Sequence, residues 1–421
     1  MKSSEKKPVR SLWQKIGPGF ITGSSDNDPS GITTYTQVGA QFGFGQLWTA
    51  FVILPFMSAV QEMSARIGMV AGEGITAVLR KKYPKWLLWI FVSLILVANT
   101  INIGADLGAM ADAAHLLVPS VPFTVYALLF TFLILFLEIF LTYKVYANVL
   151  KWFAMSLLSY ALTAFIVITD WRELLVHAVI PSIQFNRDFI MALVAIFGTT
   201  ISPYLFIWQA HEEIEEEVAE GRTTKLLRKG ATKAEITDMR RDTIIGMSFS
   251  QCITFFIIST AAMMFFKNGL LDIQTTAQAA QALEPLAGRF AALLYTAGII
   301  GTGLLAVPVL SASASYALAD GFGWHEGLYR KFREAHGFYG IITLSTLIGL
   351  LINFIGINPI KALIWTAVVN GLITPPIILI MMLIANNKKI MGKHVNGKVS
   401  NLLVGGTLTI TTIASILLFV L

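Results

Sequence analysis

Eleven apolar runs, each close to the length of about 20 residues that a helix needs to cross a bilayer, succeed one another along this chain. They lie at about 12–42, 47–69, 86–110, 121–142, 149–169, 189–210, 243–266, 290–318, 337–355, 359–385 and 401–421. Inside hydrocarbon the backbone must pair its own N–H and C=O groups, which a helix does within one segment. The runs therefore predict an all-α integral membrane protein with eleven transmembrane helices. Only 13% of the 421 residues are charged and 55% are hydrophobic, against about 25% charged in soluble domains. No stretch is left for a separate soluble domain, so a single transmembrane domain over 1–421 is expected.

Charge placement gives the orientation. The first residues, MKSSEKKPVR, are basic, but a full-length apolar run follows without a small-residue cleavage site, so no removable signal peptide is expected. If the N-terminus is cytoplasmic, the internal side holds Lys2, Lys6, Lys7, Arg10, Lys15, the cluster Arg80 to Lys85 and seven basic residues between Arg222 and Arg241. In all it holds 26 of the 31 Lys and Arg, leaving Arg172, Arg187, Lys267, Arg289 and Lys361 outside. Such a bias sets topology, giving a multi-pass plasma (inner) membrane protein with its N-terminus inside and its C-terminus outside. The lone cysteine, Cys252, excludes an intramolecular disulfide and a thiolate metal cluster.

Two runs carry their own helix breakers. The first contains GSSDNDPSGITTY (23–35) and the sixth IFGTTISPYLFIWQ (196–209), and Asp28 and Ser202, each just before its proline, lie 174 residues apart. Five spans separate the start of the one from the start of the other, so the second half enters the membrane from the opposite face. Interrupted spans at matching places in two inverted halves are the sequence sign of a transporter site near the midplane. Repeats over about 12–169 and 189–385 are expected, with 401–421 as an extra helix. Pro29 and Pro203 start new half-helices, and the half-helices before them present partially negative C-terminal ends to the membrane centre. That arrangement favours a cation.

Asp28 adds a full charge at a depth where it costs a few kcal/mol, and is read as the cation ligand, the bland alternative being a cap or ion-paired acid. Asp26 is a supporting acid or a local turn-former, and Asn27 points away from the cavity. Thr199, Thr200 and Ser202 offer hydroxyls, although such groups often bond back to their own helix. Asn370, in WTAVVNGLITPP, is polar at membrane depth and is a further candidate.

The stretch GPGFITGSSDNDPSGITTYTQVGAQFG (17–43), QEMSARIG (61–68) and GTTISPY (198–204) together resemble the NRAMP family of divalent metal-ion transporters. The resemblance implies a LeuT-type architecture of two inverted five-helix repeats, with the metal held between broken spans 1 and 6. It also marks departures. The family's Asp-Pro-Gly-Asn is here Asp28-Pro29-Ser30-Gly31, and its Met-Pro-His is Ser202-Pro203-Tyr204, so an amide and a soft thioether are missing. An all-oxygen site with small residues at Gly31 and Ser202 suits Mg2+, which keeps several waters, and would also admit Mn2+; thioethers favour softer metals. The pattern is similar to the NRAMP-related magnesium transporters. The family's titratable positions fall on Tyr204, Gln209 and a region of span 3 in which only Asp106 is acidic, so transport without proton coupling is expected. The expected partners are divalent ions and lipid, with no cofactor, nucleic acid or obligate protein partner.

The acidic run HEEIEEEVAEGRTTKLLRKGATKAEITDMRRD (211–242) reads as a solvated linker. Glu62 and Arg66 read as a clasp on one helix face, and Glu138 as a similar partner for Lys144. None of the six histidines forms a metal-ligand pair at helical spacing, and no His-Glu-x-x-His or facing pair of catalytic acids supports a membrane enzyme. A sodium-coupled amino-acid carrier would fit the scaffold, but two aspartates at the break oppose an amino-acid carboxylate. A proton-coupled Mn2+/Fe2+ importer is the main alternative.

Overall fold

The computed structural model describes residues 17–141, 143–274 and 276–420. Lys2, Lys6, Lys7, Arg10, Lys15 and the beginning of the first apolar run lie outside these. The described residues are almost wholly helical, and helices fall on every one of the eleven apolar runs. In chain order they are α1 (Pro18–Ser25), α2 (Pro29–Phe42), α3 (Thr49–Ala71), α4 (Ile75–Lys82), α5 (Lys85–Leu117), α6 (Phe123–Phe140), α7 (Tyr143–Ala154), α8 (Leu158–Val167) and α9 (Trp171–Val179). The second half holds α10 (Arg187–Thr200), α11 (Pro203–Ala219), α12 (Lys225–Arg228), α13 (Lys233–Met264), α14 (Thr276–Phe322), α15 (His336–Ile352), α16 (Pro359–Ala385), α17 (Lys388–Met391) and α18 (Lys398–Val420).

Eight spans among the described residues are long and apolar enough to cross a bilayer unaided, one of them the α10–α11 pair. α2 and α3 reach that length and hydropathy only when taken together, and they are bent by 110° where the chain turns between them. The prolines act as the sequence suggests. Pro18, Pro29, Pro203 and Pro359 each open a helix, where a missing N–H costs nothing.

Both half-helices that lead into a break are clamped by glycine. A methyl built on Gly23 of α1 would lie 2.2 Å from the Gly246 carbonyl oxygen of α13, and one on Gly246 would lie 2.0 Å from that of Gly19. In the second half a methyl on Gly198 of α10 would lie 2.0 Å from the Ala367 carbonyl oxygen of α16. Only glycine allows backbones this close, and such approaches are how membrane helices gain packing energy without a hydrophobic drive. The breaks are thus held between α13 on one side and α16 on the other. At the periphery α18 buries only Val404, Thr407 and Thr411, and Phe132, Phe136 and Phe140 line an exposed strip of α6.

Candidate metal-ion site

Between α1 and α2 the residues Asp26, Asn27 and Asp28 are all buried. Asp28 is the N-cap of α2, its Oδ1 accepting the Gly31 N–H at 2.6 Å. Its Oδ2 accepts from the Asn102 amide of α5 at 3.0 Å and lies 3.3 Å from the Tyr204 hydroxyl of α11. One carboxylate therefore joins both broken spans and α5. Tyr204 also donates to the Ser25 carbonyl at 2.9 Å, occupying one of the carbonyls that the break set free.

Gly31 faces Thr199. A methyl built on it would lie 3.0 Å from Thr199 Oγ1, 3.1 Å from the Asp26 carbonyl oxygen and 3.3 Å from Asp28 Oδ1. Three oxygens thus surround a gap that only the lack of a side chain at 31 keeps open. Asp106 is fully buried in α5, with neither carboxyl oxygen in a hydrogen bond of ordinary geometry, although Asp28 and the Ser30 amide lie near it.

Other candidates are turned elsewhere. Asp26 accepts from the Ser250 hydroxyl of α13 at 2.6 Å, and its Oδ1 is unpartnered. Asn27 donates to the same hydroxyl at 2.9 Å and accepts from Thr254 at 3.2 Å. Both side chains therefore bind break 1 to α13 rather than lining the gap at Gly31. The Ser202 hydroxyl donates its hydrogen to the carbonyls of Gly198 and Thr199, at 2.9 and 2.6 Å, which leaves its oxygen lone pairs as acceptors. A hydroxyl one turn past its own helix end takes this route readily. Thr200 pairs with the Tyr35 hydroxyl at 2.8 Å. Asn370 is buried in α16, where Thr374 bonds its carbonyl and that of Ile201 at 2.7 and 3.0 Å. This contact covers break 2 from the α16 side.

Gln209 does not share the strip of α11 that carries Tyr204. Five residues on a helix turn by about 140°, and Gln209 bonds Glu213 at 2.9 Å instead.

The acidic run departs most from its expectation as a solvated linker. Residues 211–219 continue α11, and Glu212, Glu213, Glu215 and Glu217 are buried. Glu215 accepts from the Tyr316 hydroxyl at 2.6 Å and from the backbone amides of Leu328 and Tyr329 at 2.7 and 3.1 Å. Its neighbour Glu212 accepts from the Tyr143 hydroxyl at 3.1 Å. These partners lie far along the chain, so local composition could not reveal them. Glu62 and Arg66 do pair, at 3.1 Å, and Arg240 joins them on Glu62 at 2.9 Å. Glu138 accepts from Ser311 at 2.7 Å.

Residues 19–421 match the family model described as natural resistance-associated macrophage protein-like, or Nramp. The divalent metal cation transporter MntH of Caldanaerobacter subterraneus is 26% identical over 392 residues, 91% of this chain and 87% of that protein. MntH of Bacillus subtilis is 25% identical over 397 residues, 92% and 88% of the two chains. In structure, the manganese transporter of Eremococcus coleocola superimposes with a TM-score of 0.79 at 16% identity, over 98% of this chain and 88% of that one. Mhp1, a nucleobase-cation-symport-1 family transporter, superimposes with a TM-score of 0.61 at 12% identity, over 96% and 92%. The all-helical architecture is that of the Nramp and LeuT-type transporters, and the chain belongs to the Nramp family.

Proposed function

We propose that this chain, a divalent metal cation transporter of the Nramp type, carries Mn2+ by alternating access at a site centred on Asp28. The observation that carries the reading is the buried Asp28 carboxylate at the junction of both helix breaks, beside the oxygen-lined gap at Gly31. Thr199 and the break carbonyls supply the remaining oxygens, Gly31 supplies the space, and Asp26 holds the break in place. The names of the relatives specify manganese or divalent metals in general. The Mg2+ preference expected from the missing thioether has no counterpart among them, so Mn2+ is placed first.

A second reading, Mg2+ as an equal cargo, is favoured by the donor set. Every side chain at the gap offers oxygen, and oxygen donors suit Mg2+ and Mn2+ alike. Initial-rate uptake in proteoliposomes separates the readings: Mn2+ flux that millimolar Mg2+ leaves untouched removes the second. Flux unchanged in a folded Asp28→Ala protein removes the site itself.

Proton coupling is not part of the proposal. Asn102 does not titrate and Tyr204 is a phenol, which keeps its proton at neutral pH, while Gln209 bonds Glu213 instead. Asp106 is the acid placed to carry a proton if one moves. A pH dye in the liposome lumen should stay silent as Mn2+ enters; a response abolished by Asp106→Asn would establish the proton-coupled alternative. The repeats over about 12–169 and 189–385, and the cytoplasmic N-terminus, belong to the same proposal and are open to cysteine-accessibility mapping.

A further inference from the structure

Two turns along α11 from Tyr204, on the same strip of the helix, stands His211. Seven residues advance a helix by about 10 Å and return its side chains to within about 20° of the same direction. The ring is 1% exposed and stacks on Tyr316 of α14, with centroids 4.0 Å apart. Its Nδ1 lies 2.9 Å from the Ile207 carbonyl, which can only accept, so Nδ1 carries the hydrogen. In the neutral ring Nε2 then presents a lone pair.

That lone pair faces oxygen. Nε2 is 3.1 Å from Asp320 Oδ2 and 3.9 Å from Glu326 Oε1. The ligand atoms of the three residues all lie within 4.8 Å of one another. Glu326 Oε2 is buried with no partner. With the ring neutral and both carboxylates charged, three acceptor atoms converge, and what holds them together is either a proton, on Nε2 or shared between Asp320 and Glu326, or a cation. The space is kept open by Gly74, the N-cap of α4, where a methyl would lie 2.2 Å from both Nε2 and Oδ2. The cluster lines a cavity of about 200 Å³. Arg80, near Glu326, leaves the two carboxylates in excess.

We propose that His211, Asp320 and Glu326 form a second divalent-cation site, which binds a transition metal ion and bridges α11, the end of α14 and the segment after it. A histidine that donates its other ring N–H to a backbone carbonyl is the usual posture of a metal-ligating imidazole. Imidazole nitrogen favours Mn2+, Fe2+, Co2+ or Zn2+ over Mg2+ and Ca2+, which seek oxygen alone. Ligands on opposite sides of an ion at about 2.1 Å stand about 4.2 Å apart, so the three groups need only small side-chain movements. The sequence conceals this site because its ligands are 109 and 115 residues from His211 along the chain. It stands whether or not Asp28 is the transport site.

The test uses the full-length protein in nanodiscs with Mn2+ alone as the probe, read by electron paramagnetic resonance with spin-echo detection of ¹⁴N coupling. In the Asp28→Ala protein one bound Mn2+ should remain, coupled to an imidazole nitrogen. The coupling should be lost in His211→Gln, and also in Gly74→Ala, which keeps all three ligands but fills the space between them. Absence of nitrogen-coupled Mn2+ from the unaltered protein at millimolar concentration overturns the proposal, as does its persistence in His211→Gln. If His211→Gln fails to fold, Glu326→Gln, on the more exposed segment, should still weaken binding at least severalfold, and unchanged binding there also overturns it. Failure of the Asp28 reading would appear separately, as transport surviving in Asp28→Ala while the nitrogen-coupled ion is unaffected.

Discussion

The hydroxyl of Tyr204, the second residue of α11, donates to the carbonyl of Ser25, the last residue of α1, at 2.9 Å. One side chain thereby ties the half of one broken span that begins at its break to the half of the other that ends at its break, and the same oxygen lies 3.3 Å from Asp28 Oδ2. Tyr204→Phe removes both contacts while keeping the ring packed. A lost hydrogen bond of this kind is worth about 1 kcal/mol, so the protein should remain folded. Mn2+ uptake should fall severalfold, measured as initial rate in proteoliposomes beside a thermal-melt control. Unchanged uptake would show that the bond plays no part in the cycle.

Gly31→Ala should be more damaging than its size suggests. The added methyl enters the gap between Thr199 Oγ1, the Asp26 carbonyl and Asp28 Oδ1. Metal binding by calorimetry should weaken by at least tenfold, which corresponds to about 1.4 kcal/mol, with little change in melting temperature. A variant that binds as the parent does would mean that the ion sits elsewhere.

Ser202→Met tests donor softness. The native hydroxyl donates its hydrogen into its own helix and has only a hard oxygen to offer an ion, whereas a thioether reaching the gap adds a soft donor. Uptake of Cd2+ should rise relative to Mn2+, and any competition by Mg2+ should weaken. A ratio that does not move would indicate that position 202 never meets the ion.

Gly246→Ala addresses the clamp on α1. The methyl would meet the Gly19 carbonyl 2.0 Å away, and overpacking of this kind costs about 1–3 kcal/mol. A clear fall in the thermal midpoint in detergent is the expected result. A fall no larger than that of an alanine at the unobstructed Gly405 would show that the close approach is not needed.

The helices and both breaks were legible in the sequence because apolar length and proline position act locally. The role of Asp28 as a charge placed at a break was legible for the same reason. Asn27 was expected to point away from the cavity and does, but the partners that hold it, and the direction of Asp26, could not be read. Asp26 and Asn27 are adjacent to Asp28, yet Ser250 and Thr254, more than 220 residues away, decide that they turn toward α13. Gln209 was assigned by gap-free spacing, and helical rotation carries it off the Tyr204 strip. The glutamates after His211 looked solvated because charge composition is blind to Tyr143, Tyr316 and the backbone amides of Leu328 and Tyr329, which receive them.

Glu215 holds Tyr316 and the Leu328 and Tyr329 amides, and Ser313 of α14 donates to the Tyr204 carbonyl at 2.9 Å. These contacts join α11 and the second half of α14 at both ends of their shared length. A displacement of α11 is expected to be shared by residues 324–330, and a spin label on Arg330 should then shift in step with one placed on α11. On the other side of the junction α1 is packed backbone to backbone on α13, through Gly23 and Gly246. Asp28 lies where these two packed units meet, and the Tyr204–Ser25 bond joins them there.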